Sequence, residues 1–374
     1  MSRLTLGLLP ALKSGVQDMV EAGQQALLIG QYFGAYAAGF EHTWYFSYRY
    51  EWLEQYTDDA VLLSKVTILP GRASRLYSLV LPIRWRREVR QCDVLRVFQT
   101  PGAIPAAIAH LLWGIPVAVT YGYSYAHVAR AEGHRWRALL HPALERIVLR
   151  TAAAVIVTTP ALRAYVERQV PANRVHLIPN SVDTERFAPA PLRPGKRRVA
   201  FVGRFERQKN LELLVDAATR IQPAVELVLV GDGSQRETIH SAAAQLGVRV
   251  EMPGIVPNAA LPAVLQSADA FALPSLVEGH PKALLEAMSC GLPCVGLDVP
   301  GTRDVLQHEL TGLLCPPTAD GLAAGLQRVL DDDPLAQRLG RAARDWVNAH
   351  FDSRVVMQQE VTLLRQLAAG HKHG

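Results

Sequence analysis

Cysteine is scarce in this sequence, four residues among 374. The four, Cys92, Cys290, Cys294 and Cys315, lie inside apolar segments and show neither disulfide nor metal-ligand spacing. That excludes a disulfide-stapled scaffold and a thiolate metal site, and it reads as buried thiols of a cytosolic protein. Long hydrophobic runs are missing as well. The longest nearly apolar span, Pro105 to Thr120, contains His110, Gly114 and Pro116, which divide it into a helix and a following strand rather than a membrane crossing. The first apolar run, Leu4 to Leu9, meets Pro10 at once and lacks the longer central stretch of a signal peptide, so it is expected to be a strand with no transport signal. Neither internal repeats nor low-complexity segments occur, and the chain is expected to be soluble or peripheral.

Apolar residues are plentiful, 49% of a chain too long for one typical core and about right for two α/β domains. Strand-like and helix-like segments alternate from end to end, as in parallel sheets with crossover helices. The first half predicts strands at Leu4 to Leu9, Thr43 to Ser47, Ala60 to Leu63, Val94 to Gln99, Val117 to Thr120, Ala154 to Thr158 and Val175 to Ile178. Helices are predicted at Met19 to Ala38 and Arg135 to Arg150. The proline-rich stretch Ala188 to Gly195 cannot pair in a sheet interior and reads as a linker. Beyond it, strands are predicted at Val199 to Val202, Leu227 to Val230, Val248 to Met252, Ala270 to Leu273 and Cys294 to Gly296. The expected organisation is therefore two doubly wound, Rossmann-like α/β domains, 1–190 and 191–352, with a helical tail at 353–374. Ligands of such sheets collect at the carboxyl ends of the strands.

Charge is unevenly shared. Residues 1–190 hold 20 Lys and Arg against 14 Asp and Glu, whereas residues 191–374 hold 19 against 20, which recovers the overall +5. Part of the excess is concentrated in Arg84-Trp85-Arg86-Arg87-Glu88-Val89-Arg90 and in His134-Arg135-Trp136-Arg137. Indoles among guanidiniums suit an anionic membrane surface or acidic substrates, and equally suit an ordinary solvated helical face. No nucleic-acid partner is expected.

The most informative stretch runs from Ser275 to Met288. The buried-looking strand Ala270 to Leu273 leads into Glu278-Gly279-His280-Pro281, and Pro281 suits the first turn of a helix. The first N–H groups of that helix would point back into the loop, with Glu278 at its mouth and Glu286 one to two turns in. A plainer reading makes Lys282 and Glu286 an exposed helical ion pair and leaves Glu278 solvated. A second cluster closes the strand Val199 to Val202. Gly203 permits close ligand approach there, and Arg204 and Lys209 are placed to converge on a diphosphate.

Taken in order, strand, Glu-Gly-x-Pro, apolar helix, Cys290-Gly291-Leu292-Pro293 and strand resemble the donor-binding core of the retaining GT-B glycosyltransferases of the large family 4 type. The resemblance covers most of residues 199 to 316. It implies two domains facing a cleft and a last helix crossing back to the first domain. The activity it implies is retaining transfer of a sugar from a nucleotide diphosphate sugar to an acceptor hydroxyl on a carbohydrate or lipid carrier, in bacterial polysaccharide, lipopolysaccharide or glycolipid synthesis. Cysteine usage points to a cytoplasmic location, and the arginine clusters of the first half, where they are not a solvated face, to docking on the inner face of the membrane. Arg204 and Lys209 would bind the diphosphate and remove the need for a metal, Glu278 would contact the transferred sugar, and Glu286 the ribose. Gly203, Gly279, His280, Pro281 and Lys282 would line the donor, with His280 departing from the aromatic or aliphatic residue usual there. No cofactor beyond the donor is implied.

The first domain matches less well. Tyr121 stands where the family places a histidine. Either its hydroxyl or His127 from the same loop meets the sugar, or Tyr121 belongs to a core aromatic cluster. Gly15, in the loop after the first strand, is a candidate contact to phosphate or acceptor. A glycosidase carboxylate pair at Glu278 and Glu286 would have no use for Arg204 and Lys209. A GT-B nucleotide-sugar epimerase and a noncatalytic binding module are the remaining alternatives.

Overall fold

The computed structural model describes residues 4–122, 145–190 and 197–372. The chain divides into two compact units: one runs to Pro179 and takes in the chain again from Met357, and the other is Asn180–Val356. The first unit holds a seven-stranded sheet of β1 (Thr5–Leu9), β2 (His42–Phe46), β3 (Val66–Leu69), β4 (Val94–Val97), β5 (Val117–Tyr121), β6 (Ala154–Val157) and β7 (Val175–Leu177), in the order β3-β2-β1-β4-β5-β6-β7. The second holds β8 (Arg198–Val202), β9 (Glu226–Val230), β10 (Arg249–Gly254), β11 (Ala270–Leu273), β12 (Cys294–Leu297) and β13 (Leu313–Cys315), in the order β10-β9-β8-β11-β12-β13. Every pairing is parallel. Inner strands such as β4, β6, β11 and β12 are buried along their whole length. Strands covered by helices on both faces are mostly apolar along their whole length, and the buried Arg96 of β4 is the exception among these four. In each sheet the order reverses beside the first strand, between β1 and β4 and between β8 and β11. The loops leaving that reversal diverge to opposite faces and open a crevice at the carboxyl ends.

Three local expectations change. Ala60 to Leu63 begins a helix, Ala60–Lys65, and the strand follows it as β3. Asp59 decides this, because its carboxylate accepts the N–H groups of Val61 at 2.8 Å and Leu62 at 3.2 Å and caps the first turn. The helix expected from Met19 to Ala38 is interrupted: Val16–Glu21 ends before Gly23, and helical backbone resumes at Ala26–Phe33 and Gly34–Gly39. Of the helix expected at Arg135 to Arg150, residues 135–144 lie outside the described residues, and 145–151 are helical. The unit boundary also falls ahead of the proline-rich stretch. Val182 pairs with Asp352, Phe187 is buried in the second unit's core, and Ser289 donates to the Phe187 carbonyl at 2.6 Å, so 180–190 fold with the second unit.

The long helix Ser353–Lys372 starts in the second unit, and from Met357 it belongs to the first. There Glu360 accepts from Arg96 of β4 at 2.7 Å and from the Tyr36 hydroxyl at 2.5 Å. Arg96 and Glu360 are only 4% and 6% exposed, and burial with a carboxylate neighbour pushes the Tyr36 hydroxyl well up. All four cysteines are buried and unpaired, and burial pushes Cys290 up to about 12 and Cys315 up to about 11. Among the described residues no helix is long and apolar enough to cross a membrane.

Removing one partner of a buried ion pair strands the other charge. Glu360→Ala should destabilise the first unit by about 3–5 kcal/mol, read as an earlier guanidinium transition. The double variant Arg96→Met with Glu360→Leu should recover most of that loss, because neither charge is then buried alone.

Candidate donor site in the second unit

Because β8 and β11 are neighbours in the second sheet, the loops that follow them leave side by side at the point of strand-order reversal. Gln208 laces these loops together. Its carbonyl accepts from Leu276 N–H at 2.9 Å, and its side-chain amide donates to the Val277 carbonyl at 2.6 Å. The next residue, Lys209, is thereby held against the neighbouring loop, and its ammonium lies 2.5 Å from Glu278 Oε1. The Glu278 side chain is only 7% exposed and that of Lys209 17%, so neither charge is well hydrated without the other. Arg204 follows β8 by two residues and is exposed.

Two glycines, Gly231 and Gly301, set the spacing here. A side chain on Gly231, after β9, would bring Cβ to 1.9 Å from the Gly203 carbonyl oxygen. A side chain on Gly301 would bring Cβ to 2.2 Å from the Glu278 carbonyl oxygen, at a backbone φ of 83° that favours glycine in any case. Gly301 therefore lets the chain after β12 press on Glu278, whose N–H donates to the Pro300 carbonyl at 3.3 Å. Sequence pattern gave no sign of this contact, since Pro300-Gly301 reads as an ordinary turn.

The helix Lys282–Ser289 begins one residue after Pro281, which takes the N-cap position rather than the first turn, and it follows the Glu278–Gly279 loop. Its approach is fixed by Asn180, whose amide donates to the His280 carbonyl at 2.6 Å. The His280 ring is buried with its Nδ1 lacking a hydrogen-bond partner among the described residues. It packs edge-on against Phe351 at 5.2 Å, and burial with Lys282 nearby pushes it down to about 4, so it stays neutral. The residue that departs from the resembling pattern thus serves packing.

Glu286 lies inward on that helix. The Asn258 side-chain amide donates to its Oε1 at 3.2 Å, and Arg186, paired with Asp183, donates to Asn258 Oδ1 at 3.2 Å. Arg186 thereby orients the Asn258 amide so that its NH₂ faces the carboxylate. Burial nevertheless pushes the Glu286 carboxyl up to about 7 against the downward pull of Lys282 and Asn258. A partly buried carboxyl poised near neutrality on the helix that follows β11 is a functional-site signature. Asn258 and Arg186 escaped the sequence reading because they lie far from the motif along the chain.

Two candidates in the first unit are accounted for by its own structure. Tyr121 is fully buried at the end of β5, donates to Glu145 at 3.3 Å and stacks on Tyr165 at 5.9 Å, which is the aromatic-cluster alternative. Gly15 lies against Glu51: a Cβ there would come to 2.4 Å from Glu51 Oε1. Glu51 is buried and accepts the N–H groups of Val16 at 2.8 Å and Gln17 at 2.9 Å. The Gly15 N–H itself donates to the Asp18 carboxylate at 2.7 Å. His127 lies outside the described residues.

Glu286 carries a pH consequence. Between its ordinary value of 4.5 and about 7 the folded protein holds a proton that the unfolded chain has released, so stability should fall as pH rises through that window. Denaturant melts at a series of pH values should show this slope, Glu286→Gln should flatten it, and Asn258→Leu should extend it to higher pH.

Comparison with known proteins agrees with this architecture. The profile of the family "Glycosyl transferases group 1" matches residues 182–346, and that of "Glycosyltransferase Family 4" matches residues 30–186. The 2-deoxystreptamine glucosyltransferase of Streptomyces kanamyceticus is 31% identical over 319 residues, 78% of this chain and 82% of that protein. Sucrose-phosphate synthase of Thermosynechococcus elongatus superposes with a TM-score of 0.80 at 23% identity, covering 98% of this chain and all of that one (100%). Anabaena HepE, solved with UDP and glucose, gives 0.76 at 18% identity over 98% of this chain and 100% of its own. With the donor-site motifs in place on a two-sheet parallel scaffold, the chain belongs to the GT-B glycosyltransferases of the family 4 type, the glycosyl transferases group 1.

Proposed function

We propose that this glycosyltransferase moves a sugar from a nucleotide diphosphate sugar to an acceptor hydroxyl with retention of anomeric configuration and without a metal. The observation that carries the proposal is the Lys209–Glu278 contact at 2.5 Å beside the N-terminus of the Lys282–Ser289 helix. An ammonium held on a poorly hydrated carboxylate is a stored cation: a diphosphate arriving at the crevice offers it a second anionic partner. Arg204 supplies a planar fork to the same group, and the helix N-terminus adds backbone donors. Negative charge grows on the leaving phosphate as the anomeric C–O bond breaks. These fixed positive groups then stabilise the transition state more than the ground state, which is what accelerates the step.

The remaining roles are those that the family resemblance implies. Glu278 contacts the transferred sugar, and Glu286 accepts from the ribose hydroxyls. Gly203, Gly279, Pro281 and Lys282 line the donor. The acceptor oxygen attacks the face from which the nucleotide departs and gives its proton to the leaving phosphate oxygen. HepE was solved with UDP and glucose, and the Streptomyces relative is a glucosyltransferase, which makes UDP-glucose the first donor to test. The acceptor hydroxyl belongs to a carbohydrate or a lipid carrier in polysaccharide, lipopolysaccharide or glycolipid synthesis, reached from the inner face of a membrane.

Lys209→Ala and Arg204→Ala should each weaken nucleoside diphosphate binding by about 1.5–3 kcal/mol, roughly tenfold to a hundredfold, in calorimetry. Glu286→Ala should impair nucleotide binding, whereas Glu278→Ala should lower turnover more than nucleotide affinity. NMR of the product should show the donor's anomeric configuration, formed at an undiminished rate in EDTA. An inverted linkage, or activity abolished by the chelator and restored by a divalent ion, would overturn the reading.

A further inference from the structure

The Tyr77–Arg84 helix of the first unit is apolar on two sides. Ser78, Leu81 and Pro82 face the core, as a surface helix requires. On the other side Leu76, Leu79, Val80 and Ile83, spaced i, i+3, i+4 and i+7, remain 75%, 49%, 50% and 59% exposed. The neighbouring helix Ile104–Trp113 continues the surface with Leu111 and Leu112, 75% and 55% exposed. Four large aliphatic side chains on one face of a helix, uncovered among the described residues and with two more exposed leucines on the neighbouring helix, mark an interaction surface rather than scattered exposure.

Its borders are basic. Arg84, Arg86, Arg87 and Arg90 follow the stripe and are all exposed, and Arg72 and Arg75 precede it. Among the described residues none of these six is ion-paired. The Arg84 guanidinium lies over the Trp85 ring at 4.5 Å, and Trp85 donates to the Tyr77 hydroxyl at 3.1 Å, which ties the basic segment to the stripe. We propose that this face docks on an anionic lipid bilayer, the aliphatic stripe entering the headgroup boundary and the arginines reaching lipid phosphates. A second copy of the chain fits poorly, because self-pairing would bring unpaired arginines together. Lipid fits on both counts, since aliphatic side chains partition into the interface and long guanidinium side chains extend back to the headgroups. The inference deepens the lipid-carrier form of the acceptor and rests on that reading.

The test is co-sedimentation of the whole chain with vesicles of neutral phosphatidylcholine alone or mixed with anionic phosphatidylglycerol, with UDP affinity measured in parallel. Binding to the anionic vesicles is expected to exceed binding to the neutral ones at least tenfold and to fall as salt rises. Replacing Arg84, Arg86, Arg87 and Arg90 by glutamine should remove that preference. Leu79→Ser with Ile83→Ser should weaken binding at least tenfold while leaving the arginines in place. All these positions are exposed and outside the donor site, so UDP affinity should be unchanged in both variants. Wild-type protein left in the supernatant with both vesicle types would overturn the proposal. So would vesicle binding that neither variant alters, or a dimer in sedimentation velocity that the serine variant dissolves. Loss of UDP binding in wild type would instead strike the transferase reading and leave the surface standing.

Discussion

The contact on which the candidate donor site depends is the pair Lys209 and Glu278, brought to 2.5 Å across 69 positions of sequence. Parallel pairing of β8 with β11 supplies the proximity, and three backbone devices supply the precision. Gln208 bonds to the loop after β11 in both directions. Gly301 admits the chain after β12 against the Glu278 carbonyl, and Asn180 holds the start of the following helix through His280. An ammonium and a carboxylate with little hydration stabilise each other strongly only when geometry is fixed. Loosening any of these loops would raise the energy of both charges, so the scaffold and the electrostatics of the crevice are one problem.

Three carboxylates show how differently burial is handled in this chain. Glu51 is satisfied by backbone N–H groups and hydroxyls within the first unit. Glu360 is satisfied by a guanidinium and a phenol, which fastens the last helix to its sheet. Glu286 has the Asn258 amide and the field of Lys282, and burial outweighs both. Structural carboxylates are matched by their surroundings, whereas one left short of donors is ready to accept them from a ligand. Ribose hydroxyls are donors of the required kind.

Much of this was legible in the sequence where chemistry is local. The alternation of strands and helices, the strand Ala270–Leu273, the helix start beside Pro281 and the division of Pro105–Thr120 at Gly114 all follow from short-range pattern, because parallel strands are mostly apolar and proline and glycine punctuate them. What escaped was set by distant contacts or by one polar atom. Asp59 turned an apolar run into helix and then strand. The ring of His280 is directed by Phe351, and the role of Asn258 depends on Arg186, neither of which neighbours it in sequence. Tyr121 was undecidable from its own segment, since Tyr165 and Glu145 determine its environment. The apolar face beside the arginines was invisible for the same reason: sequence shows that Leu79 and Ile83 are apolar, and only the fold shows that nothing described covers them.

The central claim is that Lys209 is held on Glu278 in the free protein and is shared with the diphosphate of the donor. A crystal structure with a bound nucleoside diphosphate tests it most directly. The account predicts Lys209 Nζ within about 3 Å of a diphosphate oxygen, with the Glu286 carboxylate accepting from the ribose. A diphosphate bound elsewhere, with the Lys209–Glu278 contact unchanged and Glu286 facing no ligand, would contradict it.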